Sequence, residues 1–366
     1  MDEIYIGQCK GRLTAALLRQ GKLWRCVTAS EDNLLDQIYA GRVVKRLSRQ
    51  AALMNIGLKL PGLLNAPADE APEGMLLPVQ VTKDAREEKG VGLTRDISIA
   101  GRYLIFQPHA GRISLSLRHQ ENIGGHALDF TVLDHLRWSG IVRQAALRVD
   151  TATVKKEAEA QLALWRKASH VKQEGLIETS LPPHLALLRD SDGERIKHII
   201  IEDRPTFVEI EKHIRETMPD LAPLLKQAQE KEPLFTVHGI EEALEKGLAP
   251  RVPMPEGIHL LFEPGQTLTA IDVNQGSALG YPVDMNKKAA GEIARQIVLR
   301  NLGGLIVVDF LRMKTEIEED QVMEELENAL QDDPLRARVL GFTAGGLCEI
   351  TRPRRGAPLM EMWKNV

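Results

Sequence analysis

The chain has 366 residues, 43% hydrophobic and 27% charged, which is room for two or three domains with an ordinary globular balance. Aromatics make up only 4%, so the core must be aliphatic. No run approaches the roughly 20 apolar residues of a membrane helix, and Met1-Asp2-Glu3 lacks the basic start and apolar stretch of a signal peptide, so a cytoplasmic protein with no membrane partner is expected. A net charge of −4 argues against a protein that coats nucleic acid through bulk charge, but not against one with a local basic patch.

Residues 1 to 30 read as strands. Arg12 to Leu18 is apolar, Gln20-Gly21-Lys22 is a turn, and Leu23 to Val27 resumes the pattern, which is a hairpin signal. A short helical turn is predicted over Glu31 to Gln37. From 38 to 118 many short strand-like segments alternate with Gly, Pro and Asp: Gly41 to Leu47, Ala51 to Ile56, Leu76 to Val81 and Arg102 to Gln107. Strands at this spacing suggest a small barrel. Ala158, Leu162, Trp165 and Ala168 recur at helical spacing, predicting a helix over 152 to 174 that the Pro182-Pro183 pair closes off. Residues 184 to 250 return to mixed strand and helix, with Ile196 to Ile201 the clearest strand. Cys9, Cys26 and Cys348 are far apart and form no CxxC pair, so they read as inert reduced thiols and argue against a cysteine zinc site.

Residues 256 to 366 look α/β. Leu268 to Asn274 reads as a strand with Asp272 near its end, and Leu305 to Phe310 as a more buried strand that reaches Asp309. Between them Ala290, Ile293, Ala294 and Ile297 mark one face of a helix, with Gly303-Gly304 as its stop. Strand, helix, strand implies parallel neighbours, and both acids then emerge at the carboxyl ends of adjacent strands, where α/β sheets place their sites. Converging carboxylates repel unless a cation intervenes. Mg²⁺ takes such oxygen ligands together with water and substrate phosphate, and Mn²⁺ is accepted by the same ligands. Spacing alone leaves open two unrelated acids facing solvent. A third strand, Ala337 to Phe342, comes after another helix.

Thr269 to Asn274 resembles the "AIDIN" strand of the ribonuclease E/G family, and Asn286 to Ala290 its "TNLEAA" segment. Glu292 to Gln296 with Leu299 to Phe310 resembles its "EIARQLRLRDLGGLIVIDF" run, which is long and specific. Ile38 to Val43 is similar to the opening strand of the family's S1-like barrel. Glu87 to Gly90 with Leu93 to Leu104 matches its "KGAxLTxxISLAGxYLV" segment, and Glu349 to Arg354 resembles "EMSRQR".

The resemblance implies an α/β (α+β) multidomain fold. Residues 1–36 and 184–250 would form an RNase H-like subdomain, 37–118 an S1-like OB-fold with the start of a 5′-sensor region, and 119–183 the rest of that region. Residues 251–366 would form a DNase I-like catalytic subdomain. It implies endonucleolytic cleavage of single-stranded RNA by activated water, leaving a 5′-phosphate, with Asp272 and Asp309 as metal ligands and Asn274 supporting them. Arg352 and Arg354 fall in the family's basic strand, where they would hold scissile or flanking phosphates. Lys89 matches an RNA-contacting lysine, and Arg143, Gly101 and Ile105 match the 5′-end site, in which Gln144 replaces a threonine.

Three departures stand out. The barrel's base-stacking aromatics are replaced at Leu53 and Leu63. The loop over 275 to 283 is short. The chain reaches Val366 before the family's "CPxCxG" zinc-link motif, so no structural zinc is expected and a homo-oligomer would need other contacts. The competing readings are a catalytically weak RNA-binding or ribosome-associated protein, and a nuclease directed at DNA or an RNA hybrid.

Overall fold

The computed structural model describes residues 1–29, 33–85, 90–116, 130–230 and 232–364. It divides into two units, one of Met1–Ala29, Lys197–Arg204 and Lys226–Val366, the other of Ser30–Ile196 and Pro205–Leu225.

The chain opens in the first unit with the meander β1 (Asp2–Cys9), β2 (Arg12–Arg19) and β3 (Lys22–Thr28). Its two turns, Lys10-Gly11 and Gln20-Gly21, have φ of 48°, 75°, 51° and 73°, the left-handed pair that two-residue hairpins require. The predicted hairpin is there. The expected helical turn is not seen: residues 30–32 lie outside the described part, and Leu35-Asp36 forms a simple turn.

In the second unit β4 (Ile38–Arg46), β5 (Ala51–Asn55), β6 (Gly62–Asn65), β7 (Leu76–Lys83) and β8 (Gly92–Thr94) run in the order β4-β5-β6-β8-β7, and β7 pairs back onto β4. That closure makes an OB-like barrel. Alternation puts Val43, Met54, Leu64, Val79, Val81 and Leu93 inside, each at most 3% exposed. Leu53 and Leu63 are register partners on the other face, with Leu63 40% exposed.

A second sheet of this unit contains β9 (Ile99–Ala100), β10 (Leu104–Phe106) and β11 (Ile113–Leu115); after the short α1 (Thr131–His135), β12 (Gly140–Val142) completes it, in the order β11-β12-β10-β9. Helix α2 (Thr151–Ser169) is capped by Asp150, whose carboxylate accepts from Thr153 N at 2.7 Å. It packs Val154, Ala158 and Leu162 with Leu104, Phe106 and Trp138. It ends short of the predicted 174, because the chain turns into β13 (Gly175–Glu178), which pairs with β4.

After α3 (Pro183–Asp190), β14 (Ile196–Ile201) joins the opening meander. Helix α4 (Arg204–Thr217) comes next, and β15 (Leu225–Gln227) completes a five-stranded sheet, β15-β14-β1-β2-β3. The short α5 (Leu234–Val237) and α6 (Ile240–Leu248) share a core with Tyr5, Ala16, Leu18 and Leu23.

The last part of the first unit is a six-stranded sheet. It is built from β16 (Arg251–Pro253), β17 (His259–Pro264), β18 (Leu268–Asn274), α7 (Pro282–Leu299), β19 (Gly304–Asp309), α8 (Glu316–Leu330), β20 (Arg338–Phe342) and β21 (Leu347–Arg352), with α9 (Leu359–Lys364) after it. The strand order is β16-β17-β18-β19-β21-β20. Only β18 and β19 among its pairs are parallel, as the helix between them requires; β21 inserts antiparallel between β19 and β20. One face is sealed: Phe262, Ile271, Val273, Ile306, Val308 and Ile350 pack with Ala290, Ile293, Ala294 and Ile297 of α7 and with Val322 and Leu326 of α8. The alternate residues face the other way and are half-buried or exposed, among them Leu261, Ala270, Asp272, Leu305, Asp309 and Glu349. Helix α7 stops before Gly303: Arg300 caps it and Asn301 takes the left-handed turn at φ 50°.

Candidate active site

The apolar strands β18 and β19 are held in register by the core beneath them, and that register brings Asp272 directly beside Asp309. Adjacent strands lie about 4.8 Å apart, and parallel register partners project from the same face. Asp272 is half-buried and Asp309 exposed. Two residues further along the same face, Asn274 donates from Nδ2 to Asp272 Oδ2 at 2.5 Å. That bond fixes one carboxylate oxygen and leaves the other available. Among the described residues nothing donates to the Asp309 carboxylate. No group of three or more His, Cys, Asp or Glu side chains converges here or elsewhere among the described residues. The donor set is two carboxylates and one amide, all with oxygen ligands. It suits a hard divalent ion that keeps several waters and takes further oxygens from a phosphate; it does not suit zinc in a closed protein cage.

Two structural supports were not evident in the sequence. Asn286 of α7 is fully buried; its Nδ2 donates to Leu311 O at 2.7 Å and its Oδ1 accepts from Leu311 N at 3.0 Å. The helix is thereby pinned to the backbone two residues beyond Asp309. A signal was present: Asn286 lies four residues before Ala290, on the helix's apolar stripe, where a polar side chain needs a partner. On the other side His259 is the register partner of Asn274. The turn after Asn274 folds tightly onto that strand's start, since a Cβ at Gly276 would collide with Gly257 O.

The two arginines of the last strand lie away from the aspartate pair. The register pairs Asp309 with Leu347 and Gly304 with Arg352, so Arg352 lies at the opposite end of β19, about 17 Å away along the strand. Its side chain is 2% exposed and that of Asp333 is 0% exposed. Arg352 Nε and Nη2 grip both oxygens of Asp333 at 3.0 and 2.9 Å, and Nη1 donates to Asn301 Oδ1 and Leu302 O. This guanidinium clamps Asp333 and the start of β19. Arg354 is exposed but lies at the same far end, donating to Thr267 O at 3.0 Å and covering Gly304, whose missing Cβ makes room for it. Neither arginine is beside the aspartate pair. Lys89 lies outside the described residues.

Residues 98–355 match the model of the Ribonuclease E/G family. The chain belongs to the ribonuclease E/G family. It is similar to Ribonuclease G of Haemophilus influenzae, with 31% identity over 88% of this chain and 72% of that protein. Ribonuclease G of Escherichia coli K12 is 30% identical over 88% of this chain and 73% of its own length. Ribonuclease E of a Nostoc species is 28% identical over 95% of this chain but 55% of its own.

In this ribonuclease E/G chain the second unit brings Gly101, Ile105 and Arg143 together. Ile105 pairs with Ile141, and Arg143 N donates to Tyr103 O at 2.8 Å. Arg143 Nη1 donates to Gly101 O and to Asp190 Oδ1, both at 2.9 Å, so an internal carboxylate already engages the guanidinium. Glu157 of α2 sits behind the loop and accepts from the backbone N–H groups of Arg102, Tyr103 and Leu104 at 3.0, 3.0 and 2.7 Å. Burial pushes its carboxyl up to about 7 despite those three donors. A Cβ at Gly101 would collide with this carboxylate. Arg102 and Tyr103 both bind Asp220, which fixes the loop from its other side. Gln144 opens a 3₁₀ turn beside Arg143.

Proposed function

We propose that this chain is a metal-dependent endoribonuclease that cleaves single-stranded RNA at the Asp272–Asp309 pair and leaves a 5′-phosphate on the downstream fragment. The observation that carries it is the register of β18 and β19, which sets two carboxylates side by side on an open sheet face with Asn274 holding one of them. Family membership supports the same substrate. Asp272 and Asp309 would hold a divalent ion, Mg²⁺ or Mn²⁺. Such an ion supplies positive charge to phosphoryl oxygens and acidifies water for in-line attack. Asn274 keeps Asp272 in one rotamer, so the pair is set before substrate arrives. Asn286 holds the exit of β19 and with it the position of Asp309.

The reading extends to subdomains: the meander sheet as RNase H-like, the six-stranded sheet as DNase I-like, and the barrel as the S1-like domain. Leucine at the paired positions 53 and 63 offers an RNA base no ring to stack on, so grip at the barrel would be weaker than with aromatics there. End-sensing is not part of this reading, because a terminal phosphate would compete with Asp190 for Arg143.

The test is incubation of an internally labelled single-stranded oligoribonucleotide with the protein in Mg²⁺, in Mn²⁺ and in a chelator. The downstream fragment is then exposed to an exonuclease that requires a 5′-phosphate. Divalent-dependent cleavage and full digestion are expected. A downstream 5′-hydroxyl, or cleavage undiminished by the chelator, would contradict the proposal. Binding without cleavage would favour an RNA-binding role alone.

A further inference from the structure

Helix α7 begins at Pro282, and the residues just before it are unusually exposed. Leu279 is 96% and Tyr281 77% exposed, the two highest values of any large hydrophobic side chain among the described residues. Single exposed apolar residues need no explanation, but an aliphatic and an aromatic side chain close together at a candidate site do. The backbone carrying them is not loose. Ala278, just before, is buried, and Gln275 Nε2 donates to Ala278 O at 2.8 Å. Just after, Tyr281 O accepts from Asp284 N and Met285 N at 3.1 and 3.3 Å and caps the helix. The ring is therefore presented to solvent from a fixed base.

That base lies on the α7 side of the sheet, off the same carboxyl edge toward which the aspartate-bearing strands β18 and β19 run. Asn286 ties α7 to Leu311, two residues past Asp309, and Tyr281 precedes Asn286 by about 7 Å of helix rise. It therefore stands beyond the carboxyl edge at which Asp272 and Asp309 emerge. The same edge carries Arg312 and Lys314, both exposed, with no partner for either side chain among the described residues. The first turn of α8 opposite is acidic, with Glu316, Glu318 and Glu319, so a polyanion crossing this edge would be turned from α8 toward Arg312 and the α7 entrance.

We infer that Tyr281 is a stacking platform for a base of single-stranded RNA that crosses this carboxyl edge, with Leu279 flanking the base and Arg312 taking a phosphate. The inference rests on the active-site reading above and deepens it by naming a residue that grips the substrate. The ring binds the base face, which every nucleobase has, so it adds affinity without a strict sequence requirement. It also places an aromatic contact in the short loop of this chain where the barrel offers only Leu53 and Leu63.

The test uses a single-stranded oligoribonucleotide with 2-aminopurine at one position at a time, titrated with the whole 366-residue chain in chelator so that no cleavage occurs. Wild type is expected to quench one position by stacking. Tyr281→Ala should abolish that quench and weaken binding by about 5- to 150-fold, with an unchanged melting temperature because the ring is exposed. Tyr281→Phe should keep both within about twofold, since the ring and not the hydroxyl carries the contact. Equal quenching by wild type and Tyr281→Ala overturns the inference, as does a loss in Tyr281→Phe as large as in Tyr281→Ala. If Tyr281-dependent quenching is seen but wild type with Mg²⁺ does not cleave, the active-site reading fails and the platform stands. Normal cleavage without Tyr281-dependent quenching has the opposite meaning.

Discussion

The two ends of the six-stranded sheet hold the same kinds of residue in opposite conditions. At one end Asp333 is fully buried, and its oxygens accept from Arg352 and from the backbone N–H groups of Leu335 and Ala337. At the other, Asp309 has no donor among the described residues and Asp272 has only Asn274. A charge whose hydrogen bonds are all internal stabilises a fold; a charge held in place but left unsatisfied can take a ligand. The location of a carboxylate on a strand does not separate these cases, but its partners do.

The sharpest way to break this contrast is Asp309→Asn. Losing one charged oxygen ligand should slow cleavage by about 10³-fold, the several kcal/mol ascribed to a catalytic ion, while the melting temperature holds or rises. Unaltered turnover would remove Asp309 from the site. Arg352→Ala should do the reverse. Leaving Asp333 buried and unpaired costs about 3–5 kcal/mol, visible as an earlier urea midpoint, with the turnover of the folded fraction retained. A midpoint equal to wild type would show that the clamp is not what holds this end. Asn274→Ala should cut cleavage by about 10- to 100-fold, with much of the loss recovered at higher Mg²⁺; loss that no Mg²⁺ concentration relieves would point to a role other than orienting Asp272.

The smallest effect concerns Glu157, another carboxylate with internal partners. Its pKa is raised by burial to about 7 in the folded chain, against a lower value unfolded, so the folded state holds the proton more tightly. The associated stability is complete below the unfolded pKa and is lost as pH rises through about 7. His184 has the opposite sign: burial, then the charge of His213, lowers it to about 4, so its share is present above the unfolded pKa of about 6.5 and is lost as pH falls through 4. Melting temperatures between pH 6 and 8 should decline by about 2–4 °C in wild type and less in Glu157→Gln. Parallel slopes would remove Glu157 as the cause.

The parallel pairing of β18 and β19 was legible because two apolar strands flank a helix with a clear apolar stripe; that their acids belong together was not, since spacing alone left open two unrelated acids. The barrel was legible from strand spacing, though not its closure, which depends on β4 meeting β7 some 35 residues later in the chain. The buried setting of Arg352 was hidden for a similar reason. Its residue type suits phosphate, but its partner Asp333 is distant in sequence and set by the antiparallel insertion of β21, which the expected run of strand, helix and strand did not contain. Asn286 left a trace that could have been followed, a polar residue on a buried stripe. Tyr281 left none, since exposure is a property of the folded chain.

The first unit is assembled from three stretches of chain, and this has a consequence for how the protein is made. During synthesis at about 5–20 residues per second, β1, β2 and β3 leave the ribosome long before β14, which joins their sheet beside β1, and α5 and α6, which pack with Tyr5, Ala16 and Leu18. The early meander must wait many seconds with its apolar face uncovered while the barrel, whose strands are contiguous, can close. Nascent chains stalled before residue 197 should therefore be the ones that a holding chaperone captures.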